Sequence, residues 1–290
     1  MSKIKQQGLL ELVKSQQWEQ VIQRCKVATK REFLAQDKTS FLQTPLHLAL
    51  RFKAPIRVIR AFTRHNQFSK AMEMRDTYCG YLPLHSAVRY CSTDSASILL
   101  FLSISNQLNI SFLLEQQDRN GMIPLHIACS FGSSLEIIEA LVRANPITTS
   151  IKTTKGKSVL FLASECSKIA AKSISFIISH SCLNKRGHDD YRGYAPLHMA
   201  CINERSVEIV SLLAQYDPSA CFQKTPSSEQ TPLGFYFGSG NSSKEIVRLL
   251  LGQLNGDDIG VVHLILIFPQ NVPALLEFVL QTFPADVEKL

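Results

Sequence analysis

At 290 residues and 45% hydrophobic content the chain can bury a long continuous core, and its length alone would allow two domains. No apolar secretory h-region follows Met1, whose neighbours include Lys3, Lys5 and two glutamines, the most apolar stretch (Ile259 to Phe268, with His263 inside it) is too short for a bilayer, and eight cysteines without a Cys-x-x-Cys pair make neither a zinc site nor a disulfide framework. The net charge of +7 is uneven: residues 1–75 hold 15 Lys and Arg against 5 Asp and Glu.

The first elements are short. Leu9-Leu10, Leu12-Val13, Trp18, Val21-Ile22 and Cys25 predict two small amphipathic helices with no Thr-Pro opening, and residues 1–43 read as a degenerate capping unit that shields the end of a stack. From Thr44 onward one phrase returns six times. It runs Thr44-Pro45-Leu46-His47-Leu48-Ala49, Leu82-Pro83-Leu84-His85-Ser86-Ala87, Ile123-Pro124-Leu125-His126-Ile127-Ala128, Ser158-Val159-Leu160-Phe161-Leu162-Ala163, Ala195-Pro196-Leu197-His198-Met199-Ala200 and Thr231-Pro232-Leu233-Gly234-Phe235. The residues in the Pro position are spaced 38, 41, 35, 37 and 36 apart. Each phrase starts a helix: a Thr hydroxyl caps unpaired amides, and Pro at the first helical position gives up an N–H that had no partner. Leu turns into the stack, and the small Ala lets neighbouring helices approach.

A second helix follows each opening. Its apolar stripe recurs in Ile56 to Phe62, Ile98 to Phe101, Leu135 to Val142, Ile174 to Ile178, Val207 to Leu213 and Glu245 to Leu250. Stop signals close several of them, as at Asn145-Pro146, Asp217-Pro218 and Phe283-Pro284. Between units lie polar turns such as Asp118-Arg119-Asn120-Gly121-Met122 and Asp190-Tyr191-Arg192-Gly193-Tyr194, where Gly can take a positive φ. Residues 44–254 thus form six units, and 255–290, with Val261 to Leu266 and Pro273 to Leu280, read as a worn terminal unit. Leu290 falls where another turn would start, which leaves room for a longer parent chain.

This phrase at this period resembles the ankyrin repeat, over essentially the whole chain. The resemblance implies an all-α repeat solenoid: stacked helix-turn-helix units with short finger loops, here longer than the usual repeat of about 33 residues. It assigns His47, His85, His126 and His198 a structural role, bonding backbone groups across adjoining loops. The unit at Ser158 has lost both Pro and His and the one at Thr231 has lost His, so weaker local stability is expected there.

That register removes the histidines from a catalytic supply. His188-Asp189-Asp190 reads as a polar finger, and Gly238 to Lys244 lacks the phosphate-loop pattern and reads as a turn between helices. No catalytic residue, metal site or cofactor is expected, and the chain is read as no enzyme. What remains is recognition, on the concave face that the family lines with finger tips and with the residues after helix one. Those positions are Arg51-Phe52, Arg89-Tyr90, Ser130-Phe131 and Ile202-Asn203, with Tyr81, Arg119, Met122, Tyr191, Arg192 and Tyr194 from the fingers. Tyr and Arg offer large contact area plus polar bonds. The aromatic column Phe52, Tyr90 and Phe131 reads equally as a contact ridge or as filler between helix pairs.

The expected function is a scaffold or adaptor in the cytoplasm or nucleus that presents this face to a protein partner of acidic character. The alternative is a regulatory or membrane-proximal module whose basic N-terminal half meets anionic lipid or nucleic acid. Arg57, Arg60 and Arg64 share one helix face there, which also reads as an ordinary solvated surface.

Overall fold

In the computed structural model the described residues are 7–91, 95–107, 111–181, 190, 192–226, 228–238 and 243–252. They fall in two compact units, residues 1–182 and 183–290. Among the described residues there is no strand, only a single bridge between Asp37 and Gln43.

The first unit holds five helix pairs: α1 (Leu9–Lys14) with α2 (Trp18–Cys25), α4 (Pro45–Arg51) with α5 (Ile56–Thr63), α7 (Pro83–Tyr90) with α8 (Ser95–Gln107), α9 (Pro124–Phe131) with α10 (Leu135–Ala144), and α11 (Val159–Glu165) with α12 (Ala171–Ser179). The short α3 (Lys30–Phe33) and α6 (Phe68–Met72) follow the first two pairs. First helices pack on first helices (α4 on α7, α7 on α9, α9 on α11), and second helices on second (α2 on α5, α5 on α8, α8 on α10, α10 on α12). The second unit repeats the scheme with α13 (Pro196–Ile202), α14 (Val207–Tyr216), α15 (Pro232–Gly238) and α16 (Lys244–Gly252); α13 meets α15 and α14 meets α16. Each pair buries its apolar stripe against the next, as with Val58, Ile59 and Phe62 of α5 or Ile137, Ile138, Leu141 and Val142 of α10. A repeat cannot bury that stripe alone.

The greater length of the units has a local cause. Asn145-Pro146 and Asp217-Pro218 stop one helix and start another: the Asn145 and Asp217 side chains accept from Ile147 N and Ser219 N, opening 3₁₀ turns over Pro146–Ser150 and Pro218–Cys221. Together with α3, α6 and a 3₁₀ turn at Ser111–Leu114, these short segments lengthen the return to the next finger.

The N-terminal pair is fastened by Glu32. Its carboxylate accepts from the Leu9 amide (2.7 Å) and from both Nε and Nη2 of Arg24 (2.7 and 2.9 Å). Burial pushes this carboxyl up, but the Arg24 fork and the Leu9 amide outweigh it and hold the group below its ordinary value.

The repeated histidines are buried, and their tautomer follows from their neighbours. Nδ1 of His47, His85, His126 and His198 accepts from the amides of Thr44, Leu82, Ile123 and Ala195 at 3.3, 3.3, 3.2 and 3.0 Å. An amide can only donate, so each ring carries its proton on Nε2. Nε2 then donates to Tyr81 O (2.9 Å) from His47, to Met122 O (3.1 Å) from His85 and to Gln223 O (2.9 Å) from His198. His126 Nε2 has no partner in hydrogen-bonding geometry and leans only on the Ile151 carbonyl. Burial pushes His85, His126 and His198 down to about 4 and lowers His47, so the rings are neutral at neutral pH.

At Ser158 the hydroxyl takes over as cap, accepting from Phe161 N at 3.1 Å, and the fully buried Phe161 ring fills the histidine's place. Lys157 lies 5.1 Å above that ring and pairs with Glu165 at 2.7 Å.

Cys25, Cys79, Cys129, Cys201 and Cys221 are free thiols; burial raises Cys25 and Cys221 to about 12 and pushes Cys129 and Cys201 up further. No helix among the described residues is long and apolar enough to cross a membrane. The terminal reading over 255–290 lies outside the described residues.

Candidate functional site

Each finger is a turn closed on itself by an acidic or hydroxylated first residue. Asp76 N donates to Tyr81 O, Asp118 N to Met122 O, Thr153 N to Lys157 O and, in the second unit, Asp190 N to Tyr194 O. Oδ1 of each Asp accepts two amides inside its turn, from Cys79 and Tyr81, from Asn120 and Met122, and from Arg192 and Tyr194. Within residues 1–182 the fingers are also tied to one another. Thr77 N donates to Phe41 O (2.8 Å), Arg119 N to Cys79 O (2.8 Å) and Thr154 N to Asn120 O (3.0 Å). Gly121, at φ 72°, permits the last contact: a Cβ there would sit 2.4 Å from Thr154 N.

On this tied row stands a feature absent from the sequence reading. Phe41 and Tyr78, on adjacent fingers, pair at 4.8 Å between ring centroids and stay 50% and 62% exposed. Phe41 and Leu42 both hold left-handed backbone (φ 54° and 53°), which costs an L-residue on the order of 1 kcal/mol. The available signal was an aromatic residue in a finger, Asp37 to Gln43, that carries no glycine.

The expected contact residues separate into groups. Arg51, Phe52 and Arg119 are exposed; Arg51 also donates to Gln43 Oε1 (3.2 Å) and Arg119 to Tyr78 O (3.4 Å). Arg89, Tyr90, Ser130 and Phe131 are half-buried, with the Arg89 guanidinium 3.4 Å from the centre of the Phe131 ring and 5.8 Å from that of Tyr90. Met122 is half-buried, and its carbonyl serves the ladder of His85. Tyr81 needs correction as a surface contact: it is 9% exposed, because its finger folds back and lays the ring on His85 at 5.6 Å, and burial pushes its hydroxyl up.

In the second unit Arg192 is exposed and paired with Asp190 at 3.1 Å, while Tyr194 is half-buried against His198 (5.9 Å) and Phe235 (5.6 Å). Ile202 and Asn203 are half-buried, and Asn203 Nδ2 bonds back to Met199 O at 2.9 Å. Tyr191 and the pair His188-Asp189 lie outside the described residues. Arg57 and Arg60 on α5 and Arg64 at its C-cap are exposed, with Arg57 paired to Glu19 at 2.8 Å. No group of His, Cys, Asp and Glu among the described residues is arranged to hold a metal ion.

The family model for the ankyrin repeat matches residues 120–150 and 192–222. Among solved structures the chain is similar to the ankyrin repeat domain of Bcl-3, described as a unique member of the IkappaB protein family. That likeness has a TM-score of 0.61 at 20% identity and covers 84% of this chain and 97% of that one, so it bears on the fold alone. No curated protein matches the chain. The chain carries ankyrin repeats at residues 120–150 and 192–222, and the same helix-pair stacking runs through both compact units.

Proposed function

We propose that the chain is a protein-binding scaffold or adaptor whose recognition surface is the finger row of residues 1–182 together with the exposed ends of its first helices. The observation that carries this reading is the Phe41–Tyr78 pair, held open to solvent beside Arg119. Ankyrin repeats generally mediate protein–protein interaction. Large apolar rings on rigid turns bind at little cost in conformational entropy, and a neighbouring guanidinium adds directional bonds. The excess of cations in residues 1–75 favours an acidic partner and speeds encounter with it. The cytoplasm or nucleus is the compartment that suits reduced, buried thiols.

The test is affinity capture from lysate with the wild-type chain and with Phe41→Ala/Tyr78→Ala, matched for thermal stability. A protein retained by the first and lost by the second, with affinity at least tenfold weaker once purified, is the expected result. Equal retention by both chains would remove the finger row from the reading.

A further inference from the structure

Away from the fingers, the second helices of the first two pairs enclose a groove of about 570 Å³. One wall is the end of α2 and the start of α3, with Lys26 and Lys30; the other is the exposed side of α5, with Arg57 and Arg64. The floor is His65. Its Nδ1 accepts from the Gln67 amide (3.1 Å), so Nε2 carries the proton, and it donates to Ala28 O (3.0 Å). The ring also lies flat on the buried Phe33 at 3.8 Å. His65 therefore binds the turn after α5 to the loop between α2 and α3, and fixes the separation of the two walls.

We infer that this groove is a binding site for a compact, multiply phosphorylated anion. Four cations line it and no carboxylate does. Arg57 reaches Glu19, outside the lining, and Lys26 reaches the neutral Gln23 Oε1 at 3.1 Å. Glu19 offsets the charge of Arg57 in part, but Lys26, Lys30 and Arg64 still repel one another around the hollow, and a ligand carrying several negative charges relieves that repulsion where a single carboxylate leaves most of it. Arginine forks suit phosphate oxygens, with lysine as an added point charge. The volume suits a ligand larger than one phosphate. Nucleic acid fits poorly: the sole aromatic lining residue is His65, already occupied against Phe33, so no ring is free to stack a base. The groove shares no residue with the finger row.

Binding is measured by calorimetry with sodium tripolyphosphate, and by sedimentation with phosphatidylcholine vesicles with and without phosphatidylinositol bisphosphate. The chains are wild type, Lys30→Gln/Arg64→Gln from the groove, and Lys53→Gln/Arg60→Gln, which removes the same charge from exposed positions outside it. The expected result is at least a tenfold loss in the first variant and less than threefold in the second. Binding of tripolyphosphate identifies a free anion as the source, and binding only of the phosphoinositide vesicles identifies a lipid headgroup. Equal weakening in both variants, no binding of either probe, or a preference for single-stranded oligonucleotide over both, would overturn the site.

Discussion

The helix pairs opening at Leu82 and at Ser158 meet the same need with different chemistry. At Leu82 one imidazole does two things: Nδ1 covers the first amide of the pair, and Nε2 reaches Met122 O in the next finger. At Ser158 those functions are divided. A hydroxyl caps the helix and a buried phenyl ring fills the space, with Lys157 and Glu165 closing over it. The difference shows that the repeat requires a filled position and a covered helix start, while the link to the next finger is a separate contribution that a unit can do without.

The largest effect should come from emptying the filled position. Phe161→Ala removes a fully buried ring and should cost about 3–5 kcal/mol in urea denaturation, as large aromatic truncations in a core do. His85→Ala, which loses a smaller ring and two hydrogen bonds, should cost less, and the reverse order would mean that the imidazole link matters more than the volume.

Acid should separate the two kinds of unit without any substitution. His85, His126 and His198 lie at about 4 in the folded chain, below the unfolded value of about 6.5. Their stabilisation is therefore complete above the unfolded value and is lost as pH falls through 6 toward 4, on the order of 1–2 kcal/mol per ring by pH 5. Hydrogen exchange should show α7, α9 and α13 losing protection over that window, with α11, which has no histidine, losing less. Uniform loss across all four helices would deny the rings this role.

Finger contact can be broken more gently. Gly121→Ala places a methyl against Thr154 N and strains a left-handed position, so about 1–3 kcal/mol should be lost, with exchange accelerated first at Thr154. The corresponding glycine of the preceding finger, Gly80, would bring a Cβ no nearer than 3.2 Å, to the flexible Arg119 side chain, and should tolerate Ala better, at the cost chiefly of its positive φ.

Much of this was legible from Thr44 onward, because each letter of the phrase has one mechanical use: a hydroxyl at the cap, Pro where an amide has no partner, His where two backbone groups converge. Helix starts at Pro45, Pro83, Pro124, Pro196 and Pro232 follow from that. The short segments after the second helices were less legible, since Asn145-Pro146 and Asp217-Pro218 carry a stop and a start in the same two residues. The site was legible only in part. Residue type placed Arg51, Phe52 and Arg119 on the surface correctly, but exposure of Tyr81 depends on how its finger folds back, and the pairing of Phe41 with Tyr78 joins residues 37 apart through a backbone conformation that no local rule favours. The groove at Lys30 and Arg64 joins two helix pairs and an unexceptional His65, so spacing along one helix could show its charge and not its shape.

The smallest expected effect is also the most discriminating between the two kinds of unit. Ser158→Ala removes the cap, leaving the Phe161 amide without its acceptor, and should cost about 1 kcal/mol. Thr44→Ala should cost more, because Thr44 Oγ1 lies 2.8 Å from His47 Nδ1 as well as accepting from His47 N, so the imidazole loses a partner along with the helix. Ser158→Thr should restore nearly all of the loss, since Thr is a competent cap and the hydroxyl is all that the position uses. If Ser158→Ala proves as costly as Thr44→Ala, then the hydroxyl at 158 supports more than the first turn of α11, and the division between cap and filler at that unit has been drawn too sharply.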